Sequence, residues 1–169
     1  MIQKGYVLEM ARYNAWQNNQ LRKAVEALGE AAVRQERGAF FGSIFGTLNH
    51  LLWADTIWMS RWCSDVPAPG GSIPESAEFT ATPGVWDAER FRMDGRIRIW
   101  AQTLSNMDLQ SVLSWYSGAM GQNVSRRLDH CIVHMFNHQT HHRGQISQMI
   151  AEAGVAAPVS DLFIMPEDV

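Results

Sequence analysis

The sequence predicts an all-α protein, a four-helix bundle with one long crossover loop between its second and third helices. Apolar residues recur at spacings of three, four and seven along four segments. Ser, Gly and Pro stand where those segments should begin and end. Strand-like alternation is confined to a short stretch near Leu113. At 169 residues and 19.1 kDa, the chain suits one globular domain over residues 1–169.

The first helix is expected from about Ile2 to Leu28, with Val7, Ala11, Leu21, Val25 and Leu28 on its stripe and Gly29 as its stop. Asn14 and Asn18 fall on the same stripe. A buried amide is costly without hydrogen bonds, so either both meet a polar feature inside the bundle or the helix turns them to solvent.

The second helix is expected to start at Ser43, a good N-cap, and to end near Trp62. Ile44, Leu48, Leu51, Leu52, Met59 and Trp62 share one stripe, and Gly46, His50, Trp53 and Ile57 share the opposite one. A helix apolar nearly all round is buried on more than one side, which points to a homodimer interface. The alternative is that Trp53, Trp58 and Trp62 are absorbed by the monomer's own core and the following loop. Asp55 sits in the first stripe and needs a cationic or hydrogen-bonding partner.

Residues 63–84 carry Pro67, Pro69, Gly70, Gly71, Pro74, Pro83 and Gly84 and read as a loop that either crosses the domain or covers a site. The third helix, about Val85 to Asn106, puts Met93, Ile97, Trp100, Leu104 and Met107 on one face and Arg90, Asp94, Arg96 and Arg98 largely elsewhere. Between Asp108 and Ser125 the pattern is weak and reads as irregular or a small hairpin, with Leu109, Val112, Leu113, Trp115 and Tyr116 as candidates for a short strand and Gly118 and Gly121 for a turn. The fourth helix is expected from Ser125 as N-cap to Ala153, stopped by Gly154. One helical turn is expected around Ser160 to Ile164.

Hydrophobic residues make up 46% of the chain and charged ones 18%, which excludes disorder. Fourteen Lys and Arg against seventeen Asp and Glu leave −3, so no nucleic acid or anionic membrane partner is expected. Lys4 and Glu9 interrupt the apolar start, and no run is long enough for a membrane helix. Cys63 and Cys131 cannot form a disulfide framework. The expected location is cytoplasmic.

Five of the six histidines, His130, His134, His138, His141 and His142, lie on the fourth helix. His134, His138 and His142 follow at four-residue steps on a face otherwise apolar, and His130 and His141 flank it. Two imidazoles one turn apart can hold one metal ion. Spacing does not choose between His134/His138 and His138/His142. Of the remaining histidines, His50 is the available third ligand, beside Gly46, whose missing side chain lets a backbone or ligand approach. A three-histidine site leaves a coordination position open, which marks catalytic metal sites. Asn49, Asn137, Gln145 and Asn14 are candidate supports for the rings. Asp129 and Glu152 read as solvated helix charges, and Cys131 as a core residue rather than a nucleophile.

Asn137-His138-Gln139-Thr140-His141-His142-Arg143-Gly144-Gln145-Ile146 resembles the C-terminal signature of the DinB-type bundle proteins. Tyr13 to Leu21 is similar to that family's first-helix pattern, and Leu48-Asn49-His50-Leu51 to its second-helix ligand motif. The resemblance implies a four-helix bundle, a homodimer, and His50, His138 and His142 as ligands of a divalent metal such as zinc or nickel. His134 and His141 are then neighbours.

The resemblance favours a thiol-dependent S-transferase or isomerase, in which a low-molecular-weight thiol attacks a small electrophilic substrate. A metal held by neutral imidazoles keeps its charge and lowers the pKa of a thiol or water beside it. Metal-dependent hydrolysis and a non-catalytic, metal-binding role in stress response are the other readings. Gly144 within the helix would be tolerable where another helix packs closely.

Overall fold

The computed structural model describes residues 1–168. Their helices are α1 (Lys4–Leu28), a short α2 (Glu30–Arg34), α3 (Ile44–Trp62), α4 (Pro83–Thr103) and α5 (Leu128–Glu152). Strands β1 (Val112–Ser117) and β2 (Gln122–Arg127) form an antiparallel hairpin with Trp115 opposite Val124. The four long helices close a ring in which α1 packs on α4, α4 on α3, α3 on α5 and α5 on α1. No helix among the described residues is long and apolar enough to cross a membrane.

Local chemistry sets the boundaries. Ser43 Oγ accepts from Gly46 N at 3.0 Å and opens α3. Thr82 caps α4 and Pro83 takes its first position, where a missing N–H costs nothing. Gly154, with φ of +84°, follows the end of α5 in the left-handed region favoured by glycine. Ser125 does not cap α5. It lies in β2, hydrogen-bonded to Ser114, and the helix begins after Arg127. The hairpin continues farther along the chain than alternation alone suggests.

The core divides in two. Val7, Ala11, Met59, Ile97 and Phe136 belong to one apolar cluster, and Leu21, Leu48, Leu52, Trp86 and Ile146 to the other. Between them each long helix contributes buried polar groups: Asn14 and Asn18, Asp55, Arg90 and Asp94, Gln139 and Arg143. Arg90 bridges Asp55 at 2.7 Å and Asp94 at 2.8 Å. Asn14 and Asn18 donate to Asp94 at 3.1 and 2.9 Å, and Gln139 donates to Asp55 at 2.9 Å. Arg143 donates to the Asn14 carbonyl oxygen.

The belt is charge-balanced, with two guanidinium groups for two carboxylates. Burial pushes the Asp94 carboxyl up to about 6 against the pull of Arg90. Burial likewise lowers Arg143 to about 10. The two asparagines thus meet a polar layer inside the bundle, and Asp55 finds its cation in Arg90. Arg90 and Asp94 are not on a solvated face of α4, because the belt draws both inside.

The second face of α3 is covered within the same chain. The 63–82 segment carries a 3-10 helix, Pro74–Glu78, that lies along α3. Trp53 and Trp58 are buried, and Trp62 stacks on Trp100 at 4.5 Å between ring centroids. The 63–82 segment thus covers Gly46, His50 and Trp53 on that face, while Ile57 stays partly exposed. Asp129 is also buried rather than solvated, and pairs with Arg127 at 2.8 Å and the Met1 amino group at 3.1 Å. A Cβ added at Gly144 would meet open space, so close helix packing does not explain that glycine.

Candidate metal centre

His50 faces α5 because its stripe on α3 turns toward that helix. His138 and His142 project from successive turns of α5. Their Nε2 atoms converge, with His138 Nε2 at 3.1 Å from the Nε2 of both His50 and His142. Ligand atoms of the three residues all lie within 4.8 Å of one another, a cluster that could hold a metal.

The outer nitrogens of two rings are tied to acceptors. His50 Nδ1 lies 2.8 Å from Ser76 Oγ, and that hydroxyl gives its own proton to the Ile73 carbonyl at 2.5 Å. Ser76 Oγ must therefore accept, so His50 carries its proton on Nδ1. His142 Nδ1 lies 2.7 Å from Gln145 Oε1, which has no proton to give. Neutral His50 and His142 each present an Nε2 lone pair inward, and neutral His138 can supply at most one proton between them. The centre is thus short of protons and suited to a cation.

Burial reinforces this state. Loss of water, followed by the charge of neighbouring histidines, pushes His50 down to about 4 and His138 to about 3. His142 is lowered by burial as well, partly offset by its bond to Gln145. All three rings are neutral at neutral pH.

Packing behind the rings depends on one glycine. At Gly46 a Cβ would overlap the Phe41 carbonyl oxygen. Without it, the turn before α3 lies against the helix and stacks the Phe41 ring on His50, at 3.9 Å between centroids and 18° between planes. The approach expected at Gly46 is that of a backbone. Trp53 closes another side, its Nε1 bonded to the Gly70 carbonyl at 2.8 Å.

The remaining candidates fall elsewhere. His134 is exposed one turn from His138, with ring centroids 6.0 Å apart, and His141 is exposed beside His142. Cys131 is a buried core thiol whose pKa burial raises. Of the proposed supports, Gln145 touches a ring directly. Asn49 acts at one remove, accepting from Thr80 Oγ1 at 2.6 Å and donating to the Ala77 carbonyl at 2.9 Å, which fixes the segment carrying Ser76. Asn14 belongs to the buried belt, and Asn137 is exposed. Sequence reasoning missed Ser76 and Phe41, because both lie on irregular segments where no periodicity assigns a face.

Residues 1–167 match the model of the DinB family. The chain belongs to the DinB family. Protein DinB of Bacillus subtilis (strain 168) is 28% identical over 162 residues, covering 92% of this chain and 91% of that protein. The crystal structure of a DinB-like protein from Bacillus cereus ATCC 10987 has a TM-score of 0.66 at 15% identity, covering 87% of this chain and 90% of that one. At that identity the likeness shows the DinB fold alone. In this DinB-family chain the Asn137 to Ile146 segment supplies His138 and His142, the Gln145 that orients His142, and the Gln139 and Arg143 of the belt.

Proposed function

We propose that this DinB-family protein is a metal-dependent enzyme acting on small electrophilic molecules, with His50, His138 and His142 holding a divalent ion, zinc or nickel. The carrying observation is the proton count at the three converging Nε2 atoms. An all-imidazole donor set suits zinc or nickel rather than magnesium or calcium. When bound, such an ion supplies Lewis acidity that lowers the pKa of a thiol or water at its open position.

The chain's own residues prepare the centre. Ser76 and Gln145 hold two rings in the ligating tautomer, and burial keeps all three rings neutral. Phe41 and Trp53 flank His50 with aromatic surface that limits access of water on that side. The family resemblance favours a low-molecular-weight thiol as co-substrate, giving S-transfer or isomerisation.

Metal analysis of untagged protein tests the site: stoichiometric metal is expected in the wild type and its loss in His138→Ala. Full metal retention in that variant would refute the ligand assignment. Turnover of electrophilic probes is expected to require glutathione, bacillithiol or mycothiol. Turnover that ignores thiol but disappears in His50→Ala would replace transfer with hydrolysis. No turnover with any probe would favour a non-catalytic metal-binding role.

A further inference from the structure

Beside the three histidines, one turn before His138 on α5, lies a second cluster that the centre does not use. His134 sits next to His138 and packs edge-on against Trp58, with ring centroids 5.4 Å apart. The hairpin brings Trp115 to the same place, 5.5 Å from Trp58. Between the tryptophans lies Arg61, its guanidinium carbon 4.5 Å from the Trp58 ring centroid and 5.2 Å from that of Trp115.

Arg61 is half-buried, yet no carboxylate among the described residues pairs with it. The guanidinium carbon lies against the two aromatic faces, and burial lowers the group's pKa from the ordinary arginine value. In a chain where acids outnumber bases by 17 to 14, a partly desolvated guanidinium without an acid is unusual. The two ring faces, 69° apart in plane, hold the guanidinium carbon between them and leave N–H donors that match the two oxygens of a carboxylate. His134 is exposed beside it and adds a ring nitrogen to the same rim.

We propose that Arg61, framed by Trp58 and Trp115 with His134 at the rim, is a carboxylate-binding subsite for small molecules whose other end reaches the three-histidine centre. The link to that centre rests on the metal reading above, while the carboxylate subsite itself does not. The ligand class is an elongated small molecule with a terminal carboxylate, whether that group belongs to the thiol or to the electrophile.

Two measurements on the full chain decide it. Metal-free protein is titrated with hexanoate, and with hexanamide as the uncharged control, following tryptophan fluorescence and the NMR signals of arginine Nε–H groups. Saturable binding of hexanoate alone is expected, weakened about tenfold in Arg61→Gln, as loss of one charged hydrogen-bonding partner implies. Arg61→Lys, which keeps the charge without the planar fork, should fall between them. If hexanoate and hexanamide behave alike, or if folded Arg61→Gln binds hexanoate as the wild type does, the subsite is refuted.

In the second measurement, cobalt(II)-loaded protein is titrated with thiol-terminated alkanoates of graded length and the matching thiol-terminated alcohols, following the cobalt–thiolate absorption. A preference for the acids, of about tenfold at the best length and lost in Arg61→Gln, is expected. Equal affinity for acids and alcohols at every length would break the link between subsite and centre. Failure of cobalt to bind would overturn the metal reading, and the hexanoate titration would still decide the subsite.

Discussion

His50 Nδ1 donates to Ser76 Oγ at 2.8 Å, and the Ser76 hydroxyl is committed to the Ile73 carbonyl, so a residue in the loop fixes the tautomer of a histidine on α3. Ser76→Ala leaves that ring free to exchange tautomers and rotate. Metal affinity is expected to fall about 10- to 100-fold, the usual cost of losing such an outer partner, with the fold retained. Competition with a chromophoric chelator measures it, and an unchanged affinity would show that Ser76 does not orient the ring.

Burial, with a smaller contribution from neighbouring histidine charge, lowers His50 to about 4 and His138 to about 3 from an ordinary 6.5. The unfolded chain therefore takes up protons first as pH falls. The stability tied to these neutral rings is complete above about pH 6.5 and is lost as pH falls toward their folded values. Urea midpoints of metal-free protein should decline from about pH 6.5 to about pH 4, and His138→Phe should flatten that dependence. A wild-type decline no steeper than that of the variant would refute this origin.

Arg90 joins Asp55 to Asp94 across the buried belt. Arg90→Met leaves two carboxylates inside the bundle without their bridging cation. A loss of about 3–5 kcal/mol is expected, as for other broken buried pairs. Chemical denaturation measures it, and a loss no larger than that of an exposed substitution would mean that the belt relaxes around the change.

Two helical glycines should respond oppositely to alanine. Gly46→Ala drives a methyl group into the backbone carbonyl of Phe41, which cannot swing away as a flexible side chain would. It should destabilise by about 1–3 kcal/mol and weaken metal binding by displacing Phe41 from His50. Gly144→Ala enters open space on α5 and should stabilise by up to about 1 kcal/mol through helix propensity. Thermal melts of the two variants check the pair, and a shift of the same sign in both would contradict the packing described.

The sequence by itself determined what is local along the chain. Ser43 as the cap of α3, Gly154 beyond the end of α5, the long helices and the shared face of His138 and His142 all follow from helical spacing and end chemistry within a few residues. The same periodicity put Asn14, Asn18 and Asp55 on the apolar stripes, while leaving open whether the helix turned the two amides to solvent. It could not name Arg90 as their partner, because Arg90 reads as off-stripe until α4 is set against α1 and α3.

Only tertiary structure brought His50 to His138 and His142 rather than to His134. It also laid Ser76 on His50, covered the second face of α3 with the 63–82 segment, and buried Asp129 beneath Arg127. The physical reason is that helical spacing sets relative positions around one helix axis, whereas the rotation of one helix against another and the path of an irregular segment are set by packing between residues far apart in the chain.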